Sequence, residues 1–430
     1  MPVQFSLAKW VYCSPAAPRY HSAMKTFLIA GAGRQATACA AFLLEQFDGT
    51  RVLFVDRDAD QLMKATACQQ HPERIERHLI DGRLSDPRLT ALFPRADCIV
   101  SCMPYFMNAA LTELAIAHRT HFCDLGGNKA TVQKQLRYDD DAKTANVSVI
   151  PDCGLDPGTG NILPEYWKDE WTYRSVSIRC GGLPQRPSNM LNYALVFSPW
   201  GLFNEYFDEC EVSRGGRLIT IEGLSEIETI DDLPISGTFE AFATSGGTSI
   251  AAAHYAPLGV DYEYKTIRYP GHRDMIACMR ELGFFDERTA ATKADGTLLG
   301  ASMREIAVGA FERALPADRN DLVMLRVDVR GEKDGQRMHG RIDLLDRATD
   351  RFTAMERTTG FSIAIVAALQ AGLYPARVKP GVQAPFQAVP PKLLIDEHKR
   401  AGVTGFTIST EAAGGGIKKG IAQADRHGGP

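Results

Sequence analysis

The chain has 430 residues, more than the roughly 100 to 200 that one domain usually holds, so two domains are expected. Its 45% apolar and 23% charged residues are ordinary globular proportions and exclude an unfolded majority. With 48 basic against 52 acidic residues the net charge is -4, and the sequence has neither a long basic run for nucleic acid nor the roughly 18 unbroken apolar residues of a membrane span.

Residues 1–23 carry no periodic pattern and no apolar run of the length a cleaved signal needs, so they read as an extension, and the expected location is cytoplasmic. The ten cysteines include no CxxC pair and fall within strands and helices, as reduced, mostly buried thiols do. His118, His121 and Cys123 lie close together but straddle a helix-to-strand junction and would point in different directions, so no metal is expected there.

The fold begins at Met24. Phe27–Ala30, Val52–Val55, His78–Ile80, Cys98–Ser101, His121–Cys123 and Val147–Ile150 read as short strands separated by helical patterns. Runs that are apolar on both sides belong to a parallel sheet covered on both faces, which gives an α/β, doubly wound Rossmann domain over residues 24–151. Beyond it, strand-like segments stand at Ser175–Arg179, Tyr193–Phe197, Tyr262–Arg268 and Leu322–Val329, and Gly215-Gly216 and Asp334-Gly335 mark hairpin turns. A second, α+β domain on a largely antiparallel sheet is therefore expected over 152–357. Thr358 or Thr359 would cap a helix running through Gln370, with Gly372 as its stop. This segment, 358–410, is expected to return to the Rossmann domain, leaving 411–430 as a flexible tail.

Strand Phe27–Ala30 runs into Gly31-Ala32-Gly33-Arg34-Gln35-Ala36, and a helix follows. Gly31 permits the tight turn, Gly33 lets the backbone approach a pyrophosphate, and Ala36 lets helix and strand pack closely. Arg34 and Gln35 open the helix whose N-terminus faces the phosphates. Asp56 ends the second strand about 20 residues on, where it would accept the adenosine ribose hydroxyls and repel a 2′-phosphate, so NAD is the expected cofactor, with Arg57 the neighbour that complicates the choice. Asp81 reads either as a contact on the adenine side or as a solvated turn residue. Met103, Pro104 and Tyr105 close the fourth strand, where they either border the nicotinamide ribose or simply stop the strand.

Cys153-Gly154-Leu155-Asp156-Pro157-Gly158, Cys180-Gly181-Gly182-Leu183-Pro184 and Thr266-Ile267-Arg268-Tyr269-Pro270-Gly271-His272 together resemble the saccharopine dehydrogenase-like superfamily. Glu240-Ala241-Phe242, Thr244-Ser245-Gly246-Gly247 and Ala354-Met355-Glu356-Arg357-Thr358-Thr359-Gly360 look most like its NAD-dependent lysine 6-dehydrogenase branch. The resemblance implies two domains around a substrate cleft, a homo-oligomer (dimer or tetramer), and oxidation of the ε-carbon of lysine to an aldehyde with loss of ammonia. Saccharopine and carboxynorspermidine dehydrogenases resemble much of the same frame. An NAD-binding regulator without chemistry is the alternative of another class.

A small amino-acid substrate needs a cation or backbone amides for its carboxylate and an acceptor for its amine. Arg268 and the run Thr244, Ser245, Gly246 and Gly247 are candidates for the carboxylate, although Arg268 could equally form a structural ion pair and the run could be a turn. For the amine and its proton the candidates are Asp124, Cys153, Asp156 and His272, with Glu240 as an ammonium ligand. Asp124 and Asp156 could instead shape turns, Cys153 could be an inert thiol, His272 a packing histidine, and Glu240 a solvated strand residue.

Overall fold

A computed structural model of the protein describes residues 24–81, 84–207, 209–287, 290–315 and 319–412. The extension expected at 1–23 and residues 413–430 of the tail expected from 411 lie outside these residues, whereas Glu411 and Ala412 end a strand and are not a flexible tail. The first domain supplies β1 (Lys25–Ala30), β2 (Thr50–Asp56), β3 (Ile75–Leu79), β4 (Cys98–Ser101), β5 (His121–Asp124) and β6 (Ser148–Ile150). After them come β7 (Thr172–Pro184), β8 (Cys210–Arg214), β9 (Arg217–Ile221), β10 (Glu228–Ile230), β11 (Phe239–Ala243) and β12 (Asp261–Arg268). A small hairpin of β13 (Ala290–Thr292) and β14 (Leu298–Ser302) precedes β15 (Asp321–Lys333), β16 (Gln336–Arg347), β17 (Gly381–Val382) and β18 (Phe406–Ala412).

The first sheet runs β17-β6-β5-β4-β1-β2-β3, with every pair parallel. Phe27 and Ile29 of β1 enter an apolar layer with helix Arg34–Gln46, while Leu28 enters the opposite layer with Ile99 and Leu111. Both faces are covered, which is the doubly wound arrangement, and the strand order reverses between β1 and β4. Their carboxyl ends therefore flank the crevice where such folds bind nucleotides.

The second sheet runs β10-β11-β12-β7-β15-β16-β18, with β8 and β9 attached to β12. Its pairs are antiparallel except β7 with β12. Both hairpin signals are realised: β8 and β9 meet at Gly215-Gly216, and β15 and β16 meet at Asp334-Gly335. Tyr193–Phe197 is not a strand. It is an irregular buried stretch, in which the Asn189 side chain donates to the Tyr193 carbonyl (2.7 Å) in place of a ladder partner. Along β12 the side chains alternate, so Tyr264, Thr266 and Arg268 share one face, where Thr266 and Arg268 meet Glu205 and Tyr206. Lys265 points the other way, into a layer where Arg179 and Arg326 pair with Glu228, Glu263, Asp232 and Asp343.

Helix Ala354–Gln370 lies between the two sheets, buried at every residue but Thr359. It starts a turn before the threonines that sequence periodicity picked as its cap. Thr353 and Glu356 satisfy each other's backbone N–H (3.1 and 2.9 Å), and the Asp321 carboxylate accepts from the amides of Ala354 (2.6 Å) and Met355 (2.9 Å). Gly360 lets this helix pack on helix Arg34–Gln46, since a Cβ there would lie 2.6 Å from the Gln35 carbonyl oxygen. Gly360→Ala is expected to cost about 1–3 kcal/mol through overpacking, read as a lower midpoint in urea unfolding. No described helix is long and apolar enough to cross a membrane.

Candidate active site

The glycine turn leaves open space in front of a helix N-terminus. Gly31 holds φ 94°, and Gly33 is exposed, with nothing within 4 Å of where a Cβ would stand. That open space before the helix N-terminus fits a pyrophosphate. Asp56 braces the turn by accepting from the Ala32 amide (2.7 Å). Arg34 reaches away from the crevice to Glu356 (2.6 Å), and Ala36 is fully buried beneath the strand. Asp81 is exposed just past β3, while Met103 and Tyr105 are half-buried and Pro104 is exposed at the mouth beyond β4.

At the ends of β5 and β6 two carboxylates are sealed together. Asp124 accepts from Gln135 Nε2 (2.6 Å) and from the amides of Gly126 (2.7 Å) and Asp152 (3.3 Å). Asp152 accepts from the Gly127 amide (3.4 Å) and from the Ser249 hydroxyl of the second domain. Gly126, at φ 70°, leaves the room, because a Cβ there would strike the Asp152 carboxylate. Burial raises Asp124 to about 6; burial and then the Asp124 charge raise Asp152 to about 7.

These raised values give stability a sign against pH. Unfolded, both acids lose their protons near pH 3.9 or so; folded, they keep them up to about 6 and 7. Stability from this pair is therefore fully present below about pH 4 and is lost as pH rises through about 7. Asp152→Asn should flatten that decline, measured as melting temperature across the same window.

Cys153 donates its thiol to the Ile150 carbonyl (3.1 Å), and burial pushes it up, so it is held as a thiol. Asp156 differs from every other acid here. Its residue reaches the surface in part, yet both carboxyl oxygens are sealed and accept no hydrogen bond. Burial, reinforced by the charge of Glu205, pushes it well above the usual carboxylate range.

Across the cleft, helix Pro199–Phe207 presents Glu205. Thr266 and Thr244 (3.4 Å) donate their hydroxyls to Oε1, and Arg268 lies 3.6 Å from Oε2. Arg268, 2% exposed, sits between the rings of Tyr193 and Tyr206 (5.2 and 5.6 Å) and donates to the Tyr206 hydroxyl (2.7 Å) and the Ile267 carbonyl (2.9 Å). The Tyr206 hydroxyl meets His272 Nε2 (3.0 Å), and His272 Nδ1 meets the Leu191 carbonyl (2.8 Å). Burial, aided by Arg268, lowers His272 to about 3, so it is neutral and its Nδ1 carries the proton that Leu191 accepts.

The structure thus brings Asp124 and Cys153 together, the Cys153 amide donating to the Asp124 carbonyl (2.7 Å), leaves Asp156 within reach of the Glu205 charge, and sets Arg268 and His272 in a buried relay behind Glu205. Glu240 accepts from the Gly271 amide (3.1 Å) and fixes the turn before His272. The run Thr244–Gly247 wraps Glu205. Ser245 donates its amide to the Glu205 carbonyl (3.2 Å), and a Cβ on Gly246 would lie 3.2 Å from Glu205 Cγ. Gly247 leaves room for the Tyr264 ring, and its carbonyl accepts from Asn161 (2.8 Å). Sequence reasoning missed Asp152 and Glu205. A signal existed for Glu205, the one charged residue in the apolar helix Pro199–Phe207. Among the described residues no group of three or more His, Cys, Asp or Glu is placed to hold a metal ion.

A doubly wound domain with this glycine turn at the point where its strand order reverses has the form of a nucleotide-binding domain. Residues 27–150 match the saccharopine dehydrogenase NADP binding domain, and residues 154–403 match the saccharopine dehydrogenase C-terminal domain. The chain belongs to the saccharopine dehydrogenase family. It is 25% identical over 200 residues to saccharopine dehydrogenase [NADP(+), L-glutamate-forming] of Schizosaccharomyces pombe, covering 44% of each chain. It is 23% identical over 274 residues to the protein of the same name from Pyricularia oryzae, covering 62% of this chain and 59% of that one. The matches therefore span about half the length of these relatives. Apo saccharopine dehydrogenase (L-Glu forming) from Saccharomyces cerevisiae shares the fold, with a TM-score of 0.69 at 16% identity over 90% of this chain and 99% of that one.

Proposed function

We propose that this protein uses NAD to oxidise the carbon bearing the ε-amino group of L-lysine to an imine, which water hydrolyses, giving allysine, ammonia and NADH. The observation that carries this reading is the acceptor left open at the site. Asp156 accepts no hydrogen bond, the charge of Glu205 reaches it, and the nearby guanidinium of Arg268 is already engaged. Such a site favours a substrate that brings a positive amine over one that brings several carboxylates.

Gly31, Gly33 and the helix start at Arg34 would hold the pyrophosphate of the nucleotide, Asp56 its adenosine ribose, and Met103, Pro104 and Tyr105 the nicotinamide side. Bound there, the nucleotide supplies a hydride acceptor. Asp56 supports NAD over NADP, because a carboxylate repels a 2′-phosphate. We assign the Gly246-Gly247 amides to the substrate carboxylate. An ammonium, with an ordinary pKa of about 10.4, has no lone pair to assist hydride departure, so it must give up a proton first. Asp156 in its ionised form is the acceptor we assign, and the rate is expected to rise toward alkaline pH.

A second reading, oxidation of a secondary amine such as saccharopine, is favoured by the names of the relatives, as is NADP. NADH or NADPH formation at alkaline pH with L-lysine and with saccharopine in parallel separates them. Turnover of lysine with NAD supports the proposal; turnover of saccharopine alone replaces it with the second reading.

A further inference from the structure

Every other buried carboxylate at the cleft has a donor. Asp124 has Gln135 and two amides, Asp152 has Ser249 and Gly127, and Glu205 has Thr244 and Thr266. Asp156 alone has none, although both its oxygens are sealed from water. A buried acceptor without a donor costs the full desolvation of that group, so its persistence needs a reason. The fold goes to some length to keep it. Gly160 lies directly against the Asp156 carboxyl, and a Cβ at that position would displace it. Glu205 is fixed by two hydroxyls and Arg268 so that its charge reaches Asp156. The charge of Glu205 thereby opposes ionisation of Asp156, an opposition that a positive group bound by both would relieve.

We propose that Asp156 and Glu205 form the slot that recognises the positively charged nitrogen of the substrate, Asp156 receiving from it the hydrogen bonds it lacks. This rests on the reading of the protein as an enzyme acting on an amino-acid amine, and it names the specificity determinant. The substrate class is an amino acid whose side chain ends in, or is interrupted by, a protonated amine, and an uncharged side chain of equal length is rejected. Thr244, Thr266 and Arg268 are positioning residues, because they act through Glu205. On binding, before any proton is transferred, the nitrogen shares its protons as hydrogen bonds with the two carboxylates.

The test is equilibrium binding to the intact protein in the presence of NADH, with L-lysine, saccharopine and L-norleucine as probes, the last being lysine without its side-chain amine. An amine-bearing probe is expected to bind at least about tenfold more tightly than norleucine, as a charge-assisted hydrogen bond implies. That margin should collapse in both Asp156→Asn and Glu205→Gln, and in Gly160→Ala, which displaces the Asp156 carboxyl without altering it. NADH affinity and melting temperature report that the variants are folded. A margin that survives in Asp156→Asn or Glu205→Gln, or a wild type that binds no amine better than norleucine, overturns the proposal. Should saccharopine rather than lysine show the margin and lose it in the variants, the carboxyl slot stands and the primary-amine reading falls. Should wild-type protein turn over lysine while the variants keep the margin, the slot falls and that reading stands.

Discussion

Arg268→Ala is expected to destabilise the protein by about 3–5 kcal/mol, because it strands Glu205 as a charge without its cation and empties the space between two aromatic rings. As a carboxylate clamp, Arg268 would behave otherwise, leaving folding intact and weakening substrate affinity alone. The geometry favours the first outcome. The guanidinium is 2% exposed, donates to Tyr206 and Ile267, and reaches the cleft only through Glu205. Arg268→Lys should recover less than half of the loss, since an ammonium neither stacks between Tyr193 and Tyr206 nor forks between two acceptors. Chemical denaturation of the three proteins, beside substrate titration, decides the matter.

The two glycines of the phosphate turn should separate stability from binding. Gly31→Ala forces a side chain into a backbone at φ 94° and places its Cβ 3.0 Å from the Cys102 carbonyl oxygen. Cys102 cannot retreat freely, because its amide is bonded to the Ala30 carbonyl (2.8 Å). This variant should lose about 1–3 kcal/mol of stability and at least about tenfold in nucleotide affinity. Gly33→Ala is the cleaner case. Its Cβ meets nothing within 4 Å, so melting should match the parent. The same methyl group stands where the pyrophosphate must come, so nucleotide affinity should fall by about a hundredfold, measured by NADH fluorescence titration. Unchanged affinity in Gly33→Ala would remove the turn from the cofactor site.

The nucleotide half was legible because its signals are local. The turn Gly31–Ala36 and the strand-ending Asp56 are fixed by short spacings, and the two hairpins by adjacent turn residues. Glu205 was hidden because what makes it significant, the hydroxyls of Thr244 and Thr266, lies 39 and 61 residues further along the chain. Tyr193–Phe197 alternates like a strand, yet the buried ring of Tyr193 serves Arg268 and His272 and not a ladder. The start of helix Ala354–Gln370 could have been read. Thr353-Ala354-Met355-Glu356 is a capping-box spacing, and apolar periodicity masked it. The chemical identity of Asp156 was in the motif, but its lack of a donor is a property of the surrounding walls.

The C-terminal segment bears on how the protein is made. β17 forms the edge of the first sheet beside β6, β18 forms the edge of the second beside β16, and helix Ala354–Gln370 covers the helix that leads out of the phosphate turn. A ribosome that has finished the glycine turn must therefore translate more than three hundred further residues before the apolar face over Phe42 and Phe361 can close. Nascent chains released early leave that face bare and expose them to chaperones and proteases. The first domain thus completes its sheet and the cover of helix Arg34–Gln46 only with residues that lie beyond the second domain in the chain.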